Sequence, residues 1–220
     1  MFKKTLLTVG LLVVSLLILL FVPPVRNALY GSKLWPYATP WDVTPEQITE
    51  LKRVVQPGDV IVERNLHSFH WMLLCLAGTG SSWVHAAIVD EDGKIVNMMV
   101  IVRKLDITSY LDKQSTDMVL VRPPYKDDAS VVRALRYAKS KLGTPFDPSF
   151  DNQAGNCTGL IAGALKAGGV QVRSRPIFLL GKTVYPAAEF LRIPNARVIW
   201  RSRDRRASEQ VVRAPVPSVR

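Results

Sequence analysis

The hydrophobic pattern of the chain falls into distinct regimes. Residues 5–22 (TLLTVGLLVVSLLILLFV) run 18 positions without a charge. At about 1.5 Å per residue, a helix of that length crosses most of a bilayer core. A secretory leader has a shorter apolar stretch, about 7–15 residues, and ends in a small-x-small cleavage pattern. This run ends instead at Val22, Pro23 and Pro24. Residues 1–22 therefore read as an uncleaved transmembrane anchor. Lys3 and Lys4 lead the span, while Arg26 and Lys33 follow it. A first span with leading lysines and a long trailing domain predicts a single-pass membrane protein with its domain on the outer, extracytoplasmic side.

Residues 23–43 hold four prolines and the aromatics Trp35, Tyr37 and Trp41. They read as a juxtamembrane linker whose rings lie at headgroup level or dock on the domain. From residue 44 to 200 the pattern becomes that of a folded domain. Thr44-Pro45-Glu46-Gln47 is a helix start, with Thr44 as N-cap, Pro45 in the first turn and Gln47 completing a capping box. Ile48, Leu51 and Val55 form its apolar stripe. Gln56-Pro57-Gly58-Asp59 breaks that helix, and VIVE (60–63) reads as a strand. HSFHWMLLCLAG (67–78) reads as a short apolar helix. WVHAAIVD (83–90), a turn at Glu91-Asp92-Gly93 and KIVNMMVIV (94–102) read as a hairpin. MVLVRP (118–123) is a further strand. Asp127 and Asp128 cap a helix with Val131, Leu135, Ala138 and Leu142 at helical spacing, stopped by Gly143. TPFDPSF is a turn-rich loop, NCTGLIAGAL a helix, GKTVYPAAEFLRI an unassigned segment and ARVIW (196–200) a strand. The order predicts an α+β fold: a small antiparallel sheet or open barrel packed by helices.

Charge adds partners rather than fold. The formal net charge is +11 and the sequence pI about 9.9. Such a balance favours anionic partners, most simply phospholipid headgroups, cell-envelope polymers or nucleic acid. The tail, residues 201–220, carries six arginines against Asp204 and Glu209. It reads as disordered, with contact to anionic lipid or polymer as its functional alternative. There is no internal repeat, zinc-finger spacing or phosphate-cradling glycine loop, and no nucleic-acid partner is expected.

Candidate chemistry centres on Cys157. In a helix from about 157 to 167, Cys157, Leu160, Ile161, Ala164 and Leu165 share one face. Cys157 then occupies the first turn and points into the protein. Unsatisfied N–H groups and a partial positive charge at a helix N-terminus favour thiolate over thiol and suit an oxyanion. The competing readings are a core cysteine or a disulfide with Cys75, the second cysteine of the chain. Cys75 itself sits among Trp71, Leu73, Leu74 and Leu76 and reads as packing.

A nucleophilic cysteine needs a base. Of His67, His70 and His85, the last lies on a rigid strand. A three-residue turn at 91–93 makes opposed residue numbers sum to 184, which pairs Ala87 with Asn97. His85 and Asn97 then share a face and stand diagonally. A carboxamide there accepts the imidazole N–H and fixes its tautomer, the orienting role of a Cys-His-Asn set. A two-residue turn would carry Asn97 to the other face, leaving Asp90 or Asp92 as the fallback. His67, His70 and His85 do not make a complete metal-ligand spacing. His67 and His70 are read as cleft or surface residues, and no metal or organic cofactor is expected.

GDVIVE (58–63), a short helix, SSWVHAAIVDEDGKIV, GTPFDPSF and NCTGLIAGAL together resemble the circularly permuted NlpC-type papain-like hydrolases, the YiiX-like branch. The resemblance covers roughly residues 56–200. It implies a cysteine hydrolase with His85 as base, Asn97 as orienter and Cys157 as nucleophile, whose own N–H contributes to the oxyanion hole. The Tyr-Asp pair common before the cysteine stands here as Phe146-Asp147. The orienter is often glutamate in this branch and is asparagine here. The implied reaction is cleavage of an amide, such as a cell-wall peptide. A lipid-directed thiol acyltransferase or esterase is the alternative, by likeness of Asn156-Cys157 to lecithin:retinol acyltransferase-like enzymes. A non-catalytic binding module of the same fold is the third reading.

Overall fold

The computed structural model describes residues 43–64, 81, 83–111, 117–147, 155–177 and 181–202. The expected anchor (1–22), nearly all of the linker, the 67–78 helix with His67, His70 and Cys75, and residues 203–220 lie outside the described residues. Among the described residues no helix is long and apolar enough to cross a membrane.

The domain opens with α1 (Pro45–Val54), which has the full capping box: Gln47 N–H donates to the Thr44 hydroxyl and the Gln47 side chain accepts from Thr44 N–H. Strands β1 (Val60–Arg64), β2 (His85–Val89), β3 (Ile95–Met98) and β4 (Val102–Leu105) follow, then the short helix α2 (Ile107–Leu111) and β5 (Asp117–Arg122). Next come α3 (Asp128–Ser140), α4 (Cys157–Ala167), β6 (Arg175–Ile177), β7 (Lys182–Val184), a 3-10 helix (Ala187–Arg192) and β8 (Arg197–Arg201). The main sheet is six-stranded and antiparallel, in the order β4-β3-β2-β1-β5-β8. Strands β6 and β7 form a separate two-stranded ribbon.

Both faces of the sheet are covered. Val60, Val62, Ala86, Ile88 and Val96 pack with Leu135 and Ala138 of α3 and Leu160, Ile161 and Ala164 of α4. Ile61, Ala87, Val89 and Ile95 face the other way, towards Leu51 of α1 and Ile107 and Tyr110 of α2. This double cover explains why β1 and β2 read as apolar runs rather than as clean alternation. Helix α4 approaches α3 closely because position 163 is glycine: a Cβ there would meet the Tyr137 hydroxyl at 2.5 Å. Asp59, buried in the turn before β1, is held by Arg122 of β5 through two bonds of 2.8 Å, while Arg122 also donates to the carbonyl of Val54 at the end of α1.

Several expectations are corrected. The 94–102 segment is not one strand. It breaks at Met99-Val100 into β3 and β4, with Met98 paired to Val102. An apolar run such as MMVIV does not reveal a turn through periodicity. Strand β4 (VRKL) and helix α2 (ITSYL) also went unforeseen, each being too short for its periodicity to register. The 181–193 segment divides into β7 and the 3-10 helix. Helix α3 ends at Ser140, so Leu142 leaves the apolar stripe and is exposed. Strand β8 includes Arg201, and the Ser202 hydroxyl accepts from Met118 N–H, so the ordered domain extends into the expected tail.

Candidate active site

Helix α4 begins where it does because Asn156 is a good N-cap. Its backbone is extended, and its side-chain oxygen accepts from Gly159 N–H at 2.8 Å and from the Thr158 hydroxyl at 3.1 Å. Cys157 is therefore the first helical residue, half-buried and not in a disulfide. Burial raises its pKa, but the His85 charge, a hydrogen bond with His85 and the backbone N–H groups of Ala86 and Thr158 outweigh this, and the thiol sits below its ordinary value.

His85 is the first residue of β2 and is 6% exposed. The turn at Glu91-Asp92-Gly93 is the three-residue loop expected, with Gly93 at a φ of 76° and Asp90 and Lys94 bonded across it. Strand β2 pairs Ile88 with Val96 and Val89 with Ile95. Continued, this register sets Asn97 diagonal to His85 on the same face. His85 Nε2 and Asn97 Oδ1 are 2.9 Å apart. Because a carbonyl oxygen only accepts, Nε2 carries the proton and Nδ1 is left to face the sulfur. Burial pushes the imidazole pKa down. The Cys157 charge and hydrogen bond, then the Glu63 charge and the Asn97 hydrogen bond, overcome it and raise the value to about 9. Cys157 and His85 therefore favour a thiolate–imidazolium pair, the form in which cysteine nucleophiles act.

The fallback orienters stand elsewhere. Asp90 is buried at the far end of β2, ion-paired with Lys104 and Lys139. Asp92 lies at the hairpin tip, 2.9 Å from Lys104. Phe146 and Asp147 are near the site through backbone: Phe146 N–H donates to Val100 and Asp147 N–H to Gly155, two residues before the cysteine. This links the β3–β4 turn to the start of α4.

Two neighbours of the ring escaped sequence reasoning. Glu63 of β1 stands directly opposite His85 in the β1–β2 register and is 4% exposed. Tyr110 of α2 places its ring 6.2 Å from the imidazole. Burial first, then Glu63, raise the Tyr110 hydroxyl well above the ordinary phenol value. A signal for Glu63 was available: it continues the Ile61 side of β1, where an inward position calls for an apolar residue. Among the described residues, no group of three or more His, Cys, Asp or Glu side chains is arranged to hold a metal ion.

No protein-family profile matches the chain. No curated protein matches it in sequence. Among solved structures, the crystal structure of the metalloprotein YiiX from Escherichia coli O157:H7 matches with a TM-score of 0.57 at 16% identity, over 67% of this chain and 97% of that chain. At that identity the likeness concerns the backbone: the chain has a YiiX-like α+β fold.

Proposed function

We propose that this chain is a cysteine hydrolase of the circularly permuted NlpC-type, papain-like class, cleaving an amide bond of a peptide such as one from the cell wall. The observation that carries the reading is a half-buried cysteine at the first position of α4, hydrogen-bonded to a histidine whose far nitrogen is held 2.9 Å from Asn97. The order of the chain, histidine strand first and cysteine helix last, supports the permutation.

In this reading the Cys157 thiolate attacks the carbonyl carbon, forming an S–C bond. The oxyanion that develops is met by N–H groups at the start of α4, including that of Cys157. His85 Nδ1 delivers its proton to the leaving nitrogen as the C–N bond breaks, leaving a thioester. Neutral His85 then takes a proton from water, whose oxygen attacks the thioester. Collapse releases the acid and restores the thiolate and the imidazolium. Asn97 keeps the ring in one tautomer throughout.

The uncharged 5–22 segment would tether the domain to the membrane, with the domain outside, and the basic tail would add contact with anionic lipid or polymer. An exposed apolar ridge favours a second, lipid-acyl reading. Val100 at the β3–β4 turn is 75% exposed, Met99 and Ile101 flank it, and Leu142 adds to it from the loop held against Val102.

The test compares full-length protein in detergent micelles with Cys157→Ser and His85→Ala, using peptide amides and acyl esters of increasing chain length. Release of product from peptides, abolished by both substitutions, supports the amidase. Release only from long-chain esters, weakened by Val100→Asp, transfers the assignment to the lipid reading. No turnover, together with an unreactive Cys157, leaves the binding module.

A further inference from the structure

The ring of His85 is faced by four groups among the described residues: Cys157 from α4, Asn97 from β3, Glu63 from β1 and Tyr110 from α2. Asn97 is the group that holds Nε2, and it is neutral. A carboxamide accepts the N–H and fixes the tautomer, but contributes no charge to balance an imidazolium. That leaves the positive ring, 6% exposed, with the thiolate as its counter-charge on the Nδ1 side. The thiolate is consumed when it attacks a carbonyl, at the moment when the ring must still hold its proton for the leaving group.

A second anion is built in beside it. Glu63 pairs with His85 across β1 and β2, and directly opposed Cβ atoms on one sheet face lie about 4.5–5.5 Å apart. Its side chain is 4% exposed, in a row otherwise made of Ile61 on β1 and Ala87 and Val89 on β2. A carboxylate in such a row is costly unless it interacts with charge or hydrogen-bond donors. Tyr110, which packs in the same cluster, sets its hydroxyl close enough to Glu63 to feel its charge.

We infer that Glu63 is a positioning residue that divides a task with Asn97: Asn97 orients the imidazole, and the Glu63 carboxylate, flanked by Tyr110, keeps that ring protonated after the thiolate has reacted. The inference deepens the hydrolase reading and rests on His85 acting as its acid and base. It identifies Glu63→Gln as a change that spares binding and tautomer but weakens the proton-donating step. The effect falls on kcat more than on KM.

The test reads the ring directly, without a substrate. Full-length protein carrying Cys157→Ala, with imidazole nitrogens labelled, is titrated by NMR, the His85 resonance being assigned by its loss in His85→Gln. The same titration is made with Glu63→Gln added. The expected result is a His85 midpoint lower by about 1 pH unit or more once Glu63 is neutral, the size typical of an opposite charge a few ångströms away. Adding Asn97→Asp to that variant returns a carboxylate to the ring and restores the midpoint. An unchanged midpoint on neutralising Glu63 overturns the inference. Should Glu63→Gln fail to fold, Cys157→Ala alone decides. Burial drives the ring below the ordinary value of about 6.5, so a midpoint at or above it supports a second anion, and one below it overturns the role. Failure of the hydrolase reading looks different: Cys157 of the parent is then unreactive, whatever His85 titrates as.

Discussion

Replacing His85 with alanine tests the central pair most directly, and the structure sets the size of the effect. The imidazole rises from 6.5 to about 9 although burial opposes it. At about 1.4 kcal/mol per pH unit, the environment favours the charged ring by about 3 kcal/mol. Much of that comes from Cys157, and a pairwise interaction acts equally on both partners. Removing His85 leaves the thiol with burial, which raises its pKa, and only the Ala86 and Thr158 N–H groups to lower it. The thiol then returns to about 8.5 or above, where about 3% is ionised at pH 7. Alkylation of Cys157 by iodoacetamide at pH 7 should fall at least about tenfold, and its pH midpoint should move up. Cys75 also reacts if accessible, so the rate is read by mass spectrometry of the Cys157 peptide. If parent and His85→Ala proteins show the same midpoint near 8.5, no ion pair exists and the hydrolase mechanism falls with it.

Other consequences follow from the same geometry. Hydrolysis should decline as pH rises through about 9, where His85 loses the proton needed by the leaving group, whereas alkylation of the thiolate should not decline there. A rate that tracked alkylation across this range would exclude proton donation by His85. Asn97→Ala frees the ring and leaves Nε2–H without its acceptor, for a stability loss of about 1–3 kcal/mol. Turnover should fall more than the loss of folded protein accounts for, as urea titration beside kcat would show. Arg122→Met strips Asp59 of its bidentate partner and should cost about 3 kcal/mol in urea unfolding, since the carboxylate stays buried. Gly163→Ala drives a methyl group into Tyr137 and should destabilise by about 1–3 kcal/mol; adding Tyr137→Ala should relieve that clash, which paired thermal melts would reveal.

What the sequence made legible was local. The Thr44 capping box, the start of α4 at Cys157 and the glycine turn at 91–93 each depend on residues within four positions of one another. The hairpin carried the most information, because register has a parity. Once Gly93 fixed a three-residue loop, Asn97 had to share a face with His85, and any even change of loop length would have kept it there while an odd one would not. The turn at Met99-Val100 left no such mark, because its residues are apolar and its stability comes from neighbours distant in sequence: Phe146 N–H donates to the Val100 carbonyl, and Val102 N–H donates to the Thr144 carbonyl. Leu142 misled for the converse reason. Its spacing was helical, but the chain turns at Gly143 to reach those same partners.

Glu63 shows where local reasoning stops. Its alignment with His85 depends on β1 pairing with β2 across a connection of 20 residues, and no turn signal fixes that register. Two constraints fix it instead. Val60 and Val62 must face α3 and α4 while Ile61 faces α1, and a slip of one residue would reverse both sets. A slip of two would preserve the faces. The turn before β1 opposes that slip, because Gly58 N–H donates to the Val89 carbonyl at 2.9 Å and Val89 N–H donates to the Asp59 carbonyl at 2.8 Å, tying the start of β1 to the end of β2. The Asp59 side chain also accepts from Gln56 N–H within this turn and is held by Arg122, so an ion pair at one end of β1 steadies the turn whose bonds set the pairing of Glu63 with His85 at the other. Arg122→Met is therefore expected to lower the His85 midpoint as well as stability, in protein that remains folded. A destabilised Arg122→Met protein whose His85 titrates as in the parent would show that the backbone bonds of the turn keep the register without the ion pair.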